Sequence, residues 1–279
     1  MKLITTLITL CLLTAVLPLG TSAQDAINRN STHVTQLGIG GVNQLDTYLS
    51  PLEYDGWQAH YMHQTLRPTH WFQNRLSFQQ MTHCEISITH NQPKKSNYMG
   101  GSVSYDAAWH YSWKPLPTLR LMAGPQAGGN VGFLYNTRNG NNPAQALANV
   151  HLAASVAAIF HFQLWHQTFT LSDQADIPII GAMFTPNYGQ SYYEIFSEGN
   201  TDHNVCVTSP FNAPTLRNQF SLDFPLLGYT VRATYLMDIR QSHVNEIKHH
   251  SYSHAFLLGW VKHFTYKKRT QALEDGFIL

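Results

Sequence analysis

Histidine is the residue type that stands out as a source of chemistry in this chain. The sequence has 16 histidines in 279 residues, and neutral imidazole is the commonest protein ligand for metal ions. Five crowd the C-terminal region: His243, His249, His250, His254 and His263. Neither an HExxH pattern nor paired Cys-x-x-Cys spacing accompanies them. We therefore expect these histidines to serve as uncharged polar residues in loops and at the membrane interface instead of binding a metal. We predict no metal ligands and no cofactor.

A serine–histidine pair is the second candidate for chemistry. Ser251, Ser253 and His254 lie close together in sequence, and a histidine can activate a serine hydroxyl for ester hydrolysis. However, the sequence has no G-x-S-x-G elbow, and no acidic residue lies nearby to complete a triad. We therefore predict no catalytic residue, with a hydrolase as the minority alternative.

The elements that must position these residues are β-strands, because polar and apolar side chains alternate with period two. The clearest case is 229–243, where apolar residues from Tyr229 to Ile239 alternate with Arg232, Asp238 and other polar residues. The Ala-rich stretch 144–158 is compatible with a helix, but its larger apolar residues share one parity and favour a strand. The predicted strands are 32–43, 55–66, 73–90, 98–113, 118–134, 147–164, 167–182, 214–226, 229–243 and 250–266.

The connections between these strands indicate how they are arranged. Those after the even-numbered strands are short: 67–72, 114–117, 165–166 and 227–228. Those after the odd-numbered strands are as long or longer: 44–54, 91–97, 135–146, 183–213 and 244–249. Tight turns at one end and longer loops at the other are typical of a transmembrane β-barrel. We predict an antiparallel up-and-down barrel of about ten strands, or twelve if 183–213 forms an extra hairpin.

The two ends of the chain define its domain organisation. An apolar run from Leu3 to Leu19, followed by Thr21-Ser22-Ala23, has the pattern of a secretory signal peptide. We predict a signal peptide at 1–23, a barrel at 24–266 and a basic, polar periplasmic tail at 267–279. Cys84 and Cys206 remain after cleavage; two free thiols are favoured over a disulfide.

Composition supports a membrane barrel over a secreted soluble sandwich or lipocalin-like barrel. Charged residues make up only 12% of the chain, whereas the solvent face of a soluble β-protein should be rich in Lys and Glu. The formal net charge of +1 gives no reason to expect nucleic acid as a partner. Most tryptophans fall near the short turns and predict a periplasmic aromatic girdle: Trp71, Trp109, Trp113, Trp165 and Trp260, with Trp57 at the other end.

The parity of the strands also predicts which charged and histidine residues line the lumen. They are Arg75, Glu85, Asp106, His110, Arg120, Asp176, Arg217, Asp223, Arg232, Asp238 and Arg240. Asp223, Arg232, Asp238 and Arg240 are expected in one neighbourhood. Mixed signs favour ion pairs that fill the lumen; a narrow pore lined by arginine is the alternative. The aromatic-rich segment 183–213 should fold over the mouth, form a hairpin or contact a partner.

Three segments resemble a known family: LDTYLSP at 45–51 with Tyr54 and Gly56, YGQSYYEIF at 188–196, and YSHxFLxGWV at 252–261. They resemble uncharacterised, exported outer-membrane β-barrel proteins of Bacteroides-type bacteria. The resemblance implies a fold and a compartment, the outer membrane of a Gram-negative bacterium, but no activity.

From the residues and the resemblance together we expect a non-enzymatic structural or surface-interaction barrel. The alternatives are a narrow channel for small solutes and an outer-membrane enzyme that modifies lipids. The expected partner is outer-membrane lipid, and a surface or periplasmic protein partner remains open.

Overall fold

The structure is a computed structural model that describes residues 29–92, 96–140 and 142–266. The predicted signal peptide at 1–23 and the predicted tail at 267–279 lie outside the described residues. Within the described part of the chain, no helix has the length and apolar character needed to cross a membrane.

The described residues form eleven strands and one short helix. The elements are β1 Arg29–Asp46, β2 Ser50–Pro68, β3 Leu76–Asn91, β4 Asn97–Leu116, β5 Leu119–Asn136, β6 Ala144–Leu164, β7 Gln167–Phe184, α1 Tyr192–Phe196, β8 Val205–Thr208, β9 Thr215–Leu226, β10 Tyr229–Val244 and β11 Ile247–Tyr266. The Ala-rich stretch lies in β6, so the strand prediction is confirmed there.

Ten of these strands close into an antiparallel barrel. Each pairs with its neighbours in sequence, except that β7 pairs with β9 and β8 is left outside the ring. The barrel closes where β1 pairs with β11, from Arg29 opposite Tyr266 to Asp46 opposite His249. The prediction of ten strands is confirmed. The alternative of twelve is not found, because β8 is a single strand that pairs with the end of β7 at Gly181–Phe184.

The barrel wall is apolar outside and polar inside. Along β4, Val103 and Tyr105 are exposed on the outer face, whereas Ser104 and Asp106 are buried on the inner face. The contrast is large: Ile39 on the outer face of β1 is 70% exposed, and Asp106 is 3% exposed. A soluble barrel would bury its apolar face instead. This inverted arrangement is that of a transmembrane barrel.

The predicted alternation of long and short connections is only partly right. At one end, which we call the turn end, 117–118, 165–166 and 227–228 are two-residue turns, but 69–75 has seven residues. At the other end, the loop end, 185–214 is long, but 47–49 and 245–246 are tight. The strands continue beyond the part of the wall in which polar and apolar residues alternate clearly. Their polar ends therefore resemble loops in the sequence.

Aromatic side chains mark the turn end, as predicted. The rings of Trp71 and Trp109 stack there with centroids 5.5 Å apart, and Trp165 occupies the turn after β6 with a positive φ of 51°. Cys84 and Cys206 are both free, so the favoured prediction of two thiols is confirmed.

Candidate functional site in the barrel interior

A chain of ion pairs crosses the middle of the barrel. Arg240 on β10 donates to both carboxylate oxygens of Glu85 on β3, at 2.6 and 2.5 Å, and its Nε donates to Asp238 at 3.1 Å. Arg217 on β9 donates to the other oxygen of Asp238 at 3.1 Å and to Asp106 on β4 at 2.9 Å. We call these five residues the interior network. It links predicted lumen residues from four strands.

The interior network spans the bore instead of following one wall. In the ring of ten strands, β3 and β10 are four steps apart, and so are β4 and β9. The Arg240–Glu85 and Arg217–Asp106 pairs therefore join nearly opposite walls. Gln79 on β3 and Gln174 on β7, also four steps apart, exchange hydrogen bonds of 2.9 and 3.1 Å. Direct bonds between opposite walls leave little room for a continuous water column.

Neighbouring polar groups complete the interior network. Ser102 donates to Glu85 at 2.8 Å, and Nε2 of His151 lies 3.2 Å from Asp106. Opposite them, Gly128 leaves the space that these side chains occupy, because a Cβ there would lie 1.9 Å from Oδ1 of Asp106. His151 was not among the predicted lumen residues, although its parity on β6 pointed inward.

The predicted neighbourhood of Asp223, Arg232, Asp238 and Arg240 is divided in two. Arg232 forms a bidentate pair with Asp223, at 2.5 and 2.7 Å, nearer the turn end. Asp238 pairs with Arg217 and Arg240 instead. Leu236, which is fully buried, separates the two groups on β10. Adjacent inner positions are two residues apart on a strand, so Arg232 and Asp238, six positions apart, are three inner positions from each other, which is enough to separate their charges.

Two further predicted lumen residues, His110 on β4 and Asp176 on β7, lie in a polar cluster with Ser155 on β6. His110 and Ser155 are joined by a 2.8 Å hydrogen bond, and Ser155 donates to Asp176 at 2.5 Å. Arg120 on β5 donates to the hydroxyls of Ser112 and Ser77, with contacts between 2.8 and 3.1 Å. The guanidinium of Arg120 is thus held by neutral oxygens.

Arg75 is the predicted lumen residue that the structure places elsewhere. It is exposed in the turn 69–75, where Nη1 donates to the hydroxyl of Tyr111 at 3.2 Å. β3 begins at Leu76, one residue later, so the alternation used to assign residue 75 does not extend to it.

An apolar cluster packs inside the barrel beside the charges. It consists of buried Met62, Met81, Leu236, Ala255 and Leu257. Water has no favourable partner in such a cluster.

A group of neutral side chains packs together inside the loop end. Leu49, Tyr54, Tyr98 and Leu134 form a second buried cluster, and the rings of Tyr54 and Tyr98 stack with centroids 3.6 Å apart. Buried Ile195 of α1 lies in the segment 185–214 at the same end. The long segment therefore folds over the mouth, one of its three predicted roles.

Hydrogen bonds attach α1 to the mouth. A capping box between Ser191 and Glu194 starts this helix. The hydroxyl of Tyr192 donates to Gln145 at 2.9 Å and accepts from the backbone N–H of Ala146 at 2.6 Å. Tyr48 donates to the carbonyl of Gln190 at 2.9 Å. Burial raises the pKa of both tyrosines to about 12, so these hydroxyls remain donors even in moderately alkaline solution.

A cavity of about 130 Å³ lies between the interior network and the loop end. Asp106, Arg217 and Arg240 contribute polar groups to its wall, and Leu147 and Met183 contribute apolar surface. The bore is therefore crossed by side chains but not packed solid.

The structure brings together neither the predicted serine–histidine pair nor the group of C-terminal histidines. Ser253 is buried on the inner face, whereas His254 is exposed on the outer face and bonds the hydroxyl of Tyr235 at 2.7 Å. Neighbouring residues of a strand point to opposite faces, so this pair cannot form a catalytic dyad. The C-terminal histidines are also dispersed: His249 bonds Asp46 and His250 bonds Asn43.

A different histidine pair, absent from the predictions, lies inside the barrel. Nδ1 of His60 is 3.0 Å from Nε2 of His83, and both residues are buried beside Glu85. Along β2 and β3 the inward-facing residues, among them His60 and His83, alternate with outward-facing ones. This alternation is the sequence signal that could have identified the pair. A count of histidines per segment misses them, because they are far from the C-terminal group.

Comparison with known proteins identifies the family. A family described as "Protein of unknown function (DUF3316)" matches residues 5–271. The chain belongs to this family. No curated protein matches this chain.

Several solved structures are similar at low identity. The transport unit of the autotransporter AIDA-I from Escherichia coli is 8% identical, with a TM-score of 0.43 over 90% of this chain and 96% of that one. The outer membrane protease OmpT from Escherichia coli is 9% identical, with a TM-score of 0.45 over 88% and 99%. The COG4313 outer membrane channel from Pseudomonas putida F1 is 8% identical, with a TM-score of 0.36 over 89% and 100%.

Proposed function

We propose that this protein is a closed outer-membrane barrel that acts as a non-enzymatic structural or surface-interaction protein. The membrane is that of a Gram-negative bacterium, of the Bacteroides type according to the motif resemblance. The observation that carries the proposal is the interior network, in which Arg240–Glu85 and Arg217–Asp106 join nearly opposite walls. A solute that crosses this level must first break buried ion pairs.

Two further features support a closed lumen. The apolar cluster around Met62 and Leu236 offers no hydrogen bonds to water, and the buried cluster of Leu49, Tyr54, Tyr98 and Leu134 fills part of the loop end. The apolar cluster shares β3 and β10 with the interior network but lies nearer the turn end, whereas the second cluster lies at the loop end. A single rotamer change would therefore not open the bore.

Planar-bilayer recording of the refolded barrel tests this proposal. We expect no steady conductance from the wild type, in contrast to an open porin reconstituted in the same way. Reproducible single-channel steps that scale with the amount of inserted protein would contradict a closed lumen.

A narrow channel is the second candidate, and the cavity beside Arg217 and Arg240 favours it. A channel built this way would need the mouth segment to move. Replacing 185–214 with a short flexible loop should then produce conductance, whereas in the closed barrel the interior network still blocks the bore.

The compartment can be tested separately. The protein should fractionate with the outer membrane, and its migration on a gel should change on heating. Recovery as a soluble periplasmic species would contradict the proposed location.

A further inference from the structure

Three side chains with metal-binding atoms converge inside the barrel. His60 lies directly opposite Glu85 in the β2–β3 ladder, and His83 precedes Glu85 by two residues on the same inner face. All three are buried, and one potential ligand atom from each lies within 4.8 Å of the other two. We propose that His60, His83 and Glu85 bind one divalent transition-metal ion, for which Zn²⁺ is the natural choice.

The spacing of the histidine nitrogens suits such an ion. Nδ1 of His60 and Nε2 of His83 are 3.0 Å apart. Zinc–nitrogen bonds of about 2.0–2.1 Å in a tetrahedral site place two ligand atoms roughly 3.3 Å apart. Small movements of the two rings and of the Glu85 carboxylate would complete three-ligand coordination. Two imidazoles and a carboxylate are a ligand set that zinc uses when a fourth position is left to water.

The histidine pair is incompletely satisfied by protein atoms alone. Only one proton fits between the two facing nitrogens, so one of them must act as acceptor. The other nitrogen of His60, Nε2, is buried and has no hydrogen-bond partner among the described residues. The ring of His60 is therefore held only through Nδ1, and a small movement towards an ion breaks no other side-chain hydrogen bond of this residue.

Glu85 retains the capacity to coordinate an ion. An ionised carboxylate offers about four lone-pair sites. Ser102 and Arg240 donate to Oε1, and Arg240 also donates to Oε2. One site on Oε2 is therefore free of these donors.

The surrounding charge also favours a cation. The interior network contains three carboxylates, of Glu85, Asp106 and Asp238, and two guanidiniums, of Arg217 and Arg240. With neutral histidines it carries one excess negative charge. A cation between His60 and His83 would lie next to this excess, in an environment where screening by water is weak.

The test must offer the metal during folding, because the site is buried. Denatured protein is refolded into detergent with either Zn²⁺ or EDTA, free metal is removed by gel filtration, and bound zinc is counted by elemental mass spectrometry. We expect one zinc per wild-type chain and a higher unfolding midpoint than in the EDTA sample. His60→Gln and His83→Gln should each reduce bound zinc at least tenfold.

His110→Gln is the matched control. His110 is also buried inside the barrel and also has one hydrogen-bonded nitrogen, Nε2, and one without a partner, Nδ1. It has no second histidine at bonding distance among the described residues. This variant should retain the wild-type zinc content.

Two outcomes would overturn the proposal. One is a wild-type barrel that folds without retaining zinc. The other is zinc that persists in both His60→Gln and His83→Gln, which would assign binding to exposed histidines. If these variants do not fold, wild type refolded with Co²⁺ decides by X-ray absorption. Two imidazole ligands support the site, and a shell of oxygen alone excludes it. Conductance plays no part in these readouts, so the result is independent of the proposed function.

Discussion

The inner and outer faces of the barrel wall are both largely dry, but they differ in chemistry. On β10 the outer face presents Ala233 and Tyr235, and the inner face presents Thr234, Leu236 and Asp238. The outer face of this strand suits lipid because it lacks charge. The inner face keeps its charges, each of them buried against opposite charges or hydroxyl groups.

The comparison teaches that polarity does not indicate contact with water in this fold. Asp238 is 1% exposed and Asp106 is 3% exposed, as low as apolar residues in a soluble core. The inner face should therefore tolerate the loss of a charge poorly, and the outer face should tolerate the gain of a charge poorly.

Loss of a charge from the inner face should have the largest effect. Asp238→Ala removes a partner from both Arg217 and Arg240, and breaking a buried ion pair typically costs about 3–5 kcal/mol. We expect a loss of that order in the free energy of unfolding, measured by urea titration in lipid vesicles. Asp202→Ala is the control, because Asp202 is 80% exposed in the mouth segment, and it should leave the unfolding curve unchanged.

A second substitution distinguishes a closed interior from a water-filled one. Arg217→Met removes the same Arg217–Asp238 pair and also the Arg217–Asp106 pair, so the double variant Asp238→Ala/Arg217→Met should lose less stability than the sum of the two single losses. Strictly additive losses, together with altered ion selectivity, would mean that these charges are already hydrated and that the lumen is a channel.

Gain of a charge on the outer face should cost slightly less. Arginine at the lipid-facing midplane of a barrel costs about 2–4 kcal/mol, so Ala233→Arg should destabilise the refolded barrel by that amount. Ala233→Leu adds bulk without charge and should be nearly neutral. If Ala233→Arg and Ala233→Leu change the free energy of unfolding by the same amount, Ala233 does not face lipid. Thr234→Arg should also destabilise the barrel, because Thr234 is buried on the inner face and accepts a 2.8 Å hydrogen bond from Gln36.

The barrel itself could be predicted from the sequence because one physical rule governs every strand. A wall with a lipid face and an interior face forces alternation, so the parity of Tyr229 to Ile239 already specified which side chains point outward. The strand ends could not be predicted in the same way. Beyond the apolar band neither face is lipid-exposed, and β1 continues to Asp46 through backbone pairing that leaves no pattern in the side chains.

The pairing partners inside the barrel could not be predicted either. Parity gives the face to which a side chain points but not its position along the barrel axis, which depends on the stagger between strands. Arg217 was expected inside, but its contact with Asp106 on β4 depends on the whole ring. The same limit explains why Asp223 and Asp238 were expected together.

The smallest of the predicted effects concerns the space between the interior charges and the wall. A Cβ at Gly128 would lie 1.9 Å from Oδ1 of Asp106 and 2.9 Å from Nε2 of His151, so Gly128→Ala must displace part of the network, at about 1–3 kcal/mol. The control is Gly41→Ala on the outer face, where the nearest atom is a carbonyl oxygen 3.9 Å away. That variant should be neutral or slightly stabilising, because alanine restricts the unfolded chain. Urea titration of both variants measures the difference. If Gly128→Ala unfolds no more easily than Gly41→Ala, Asp106 and His151 have room to move, and the interior is looser than the ion pairs imply.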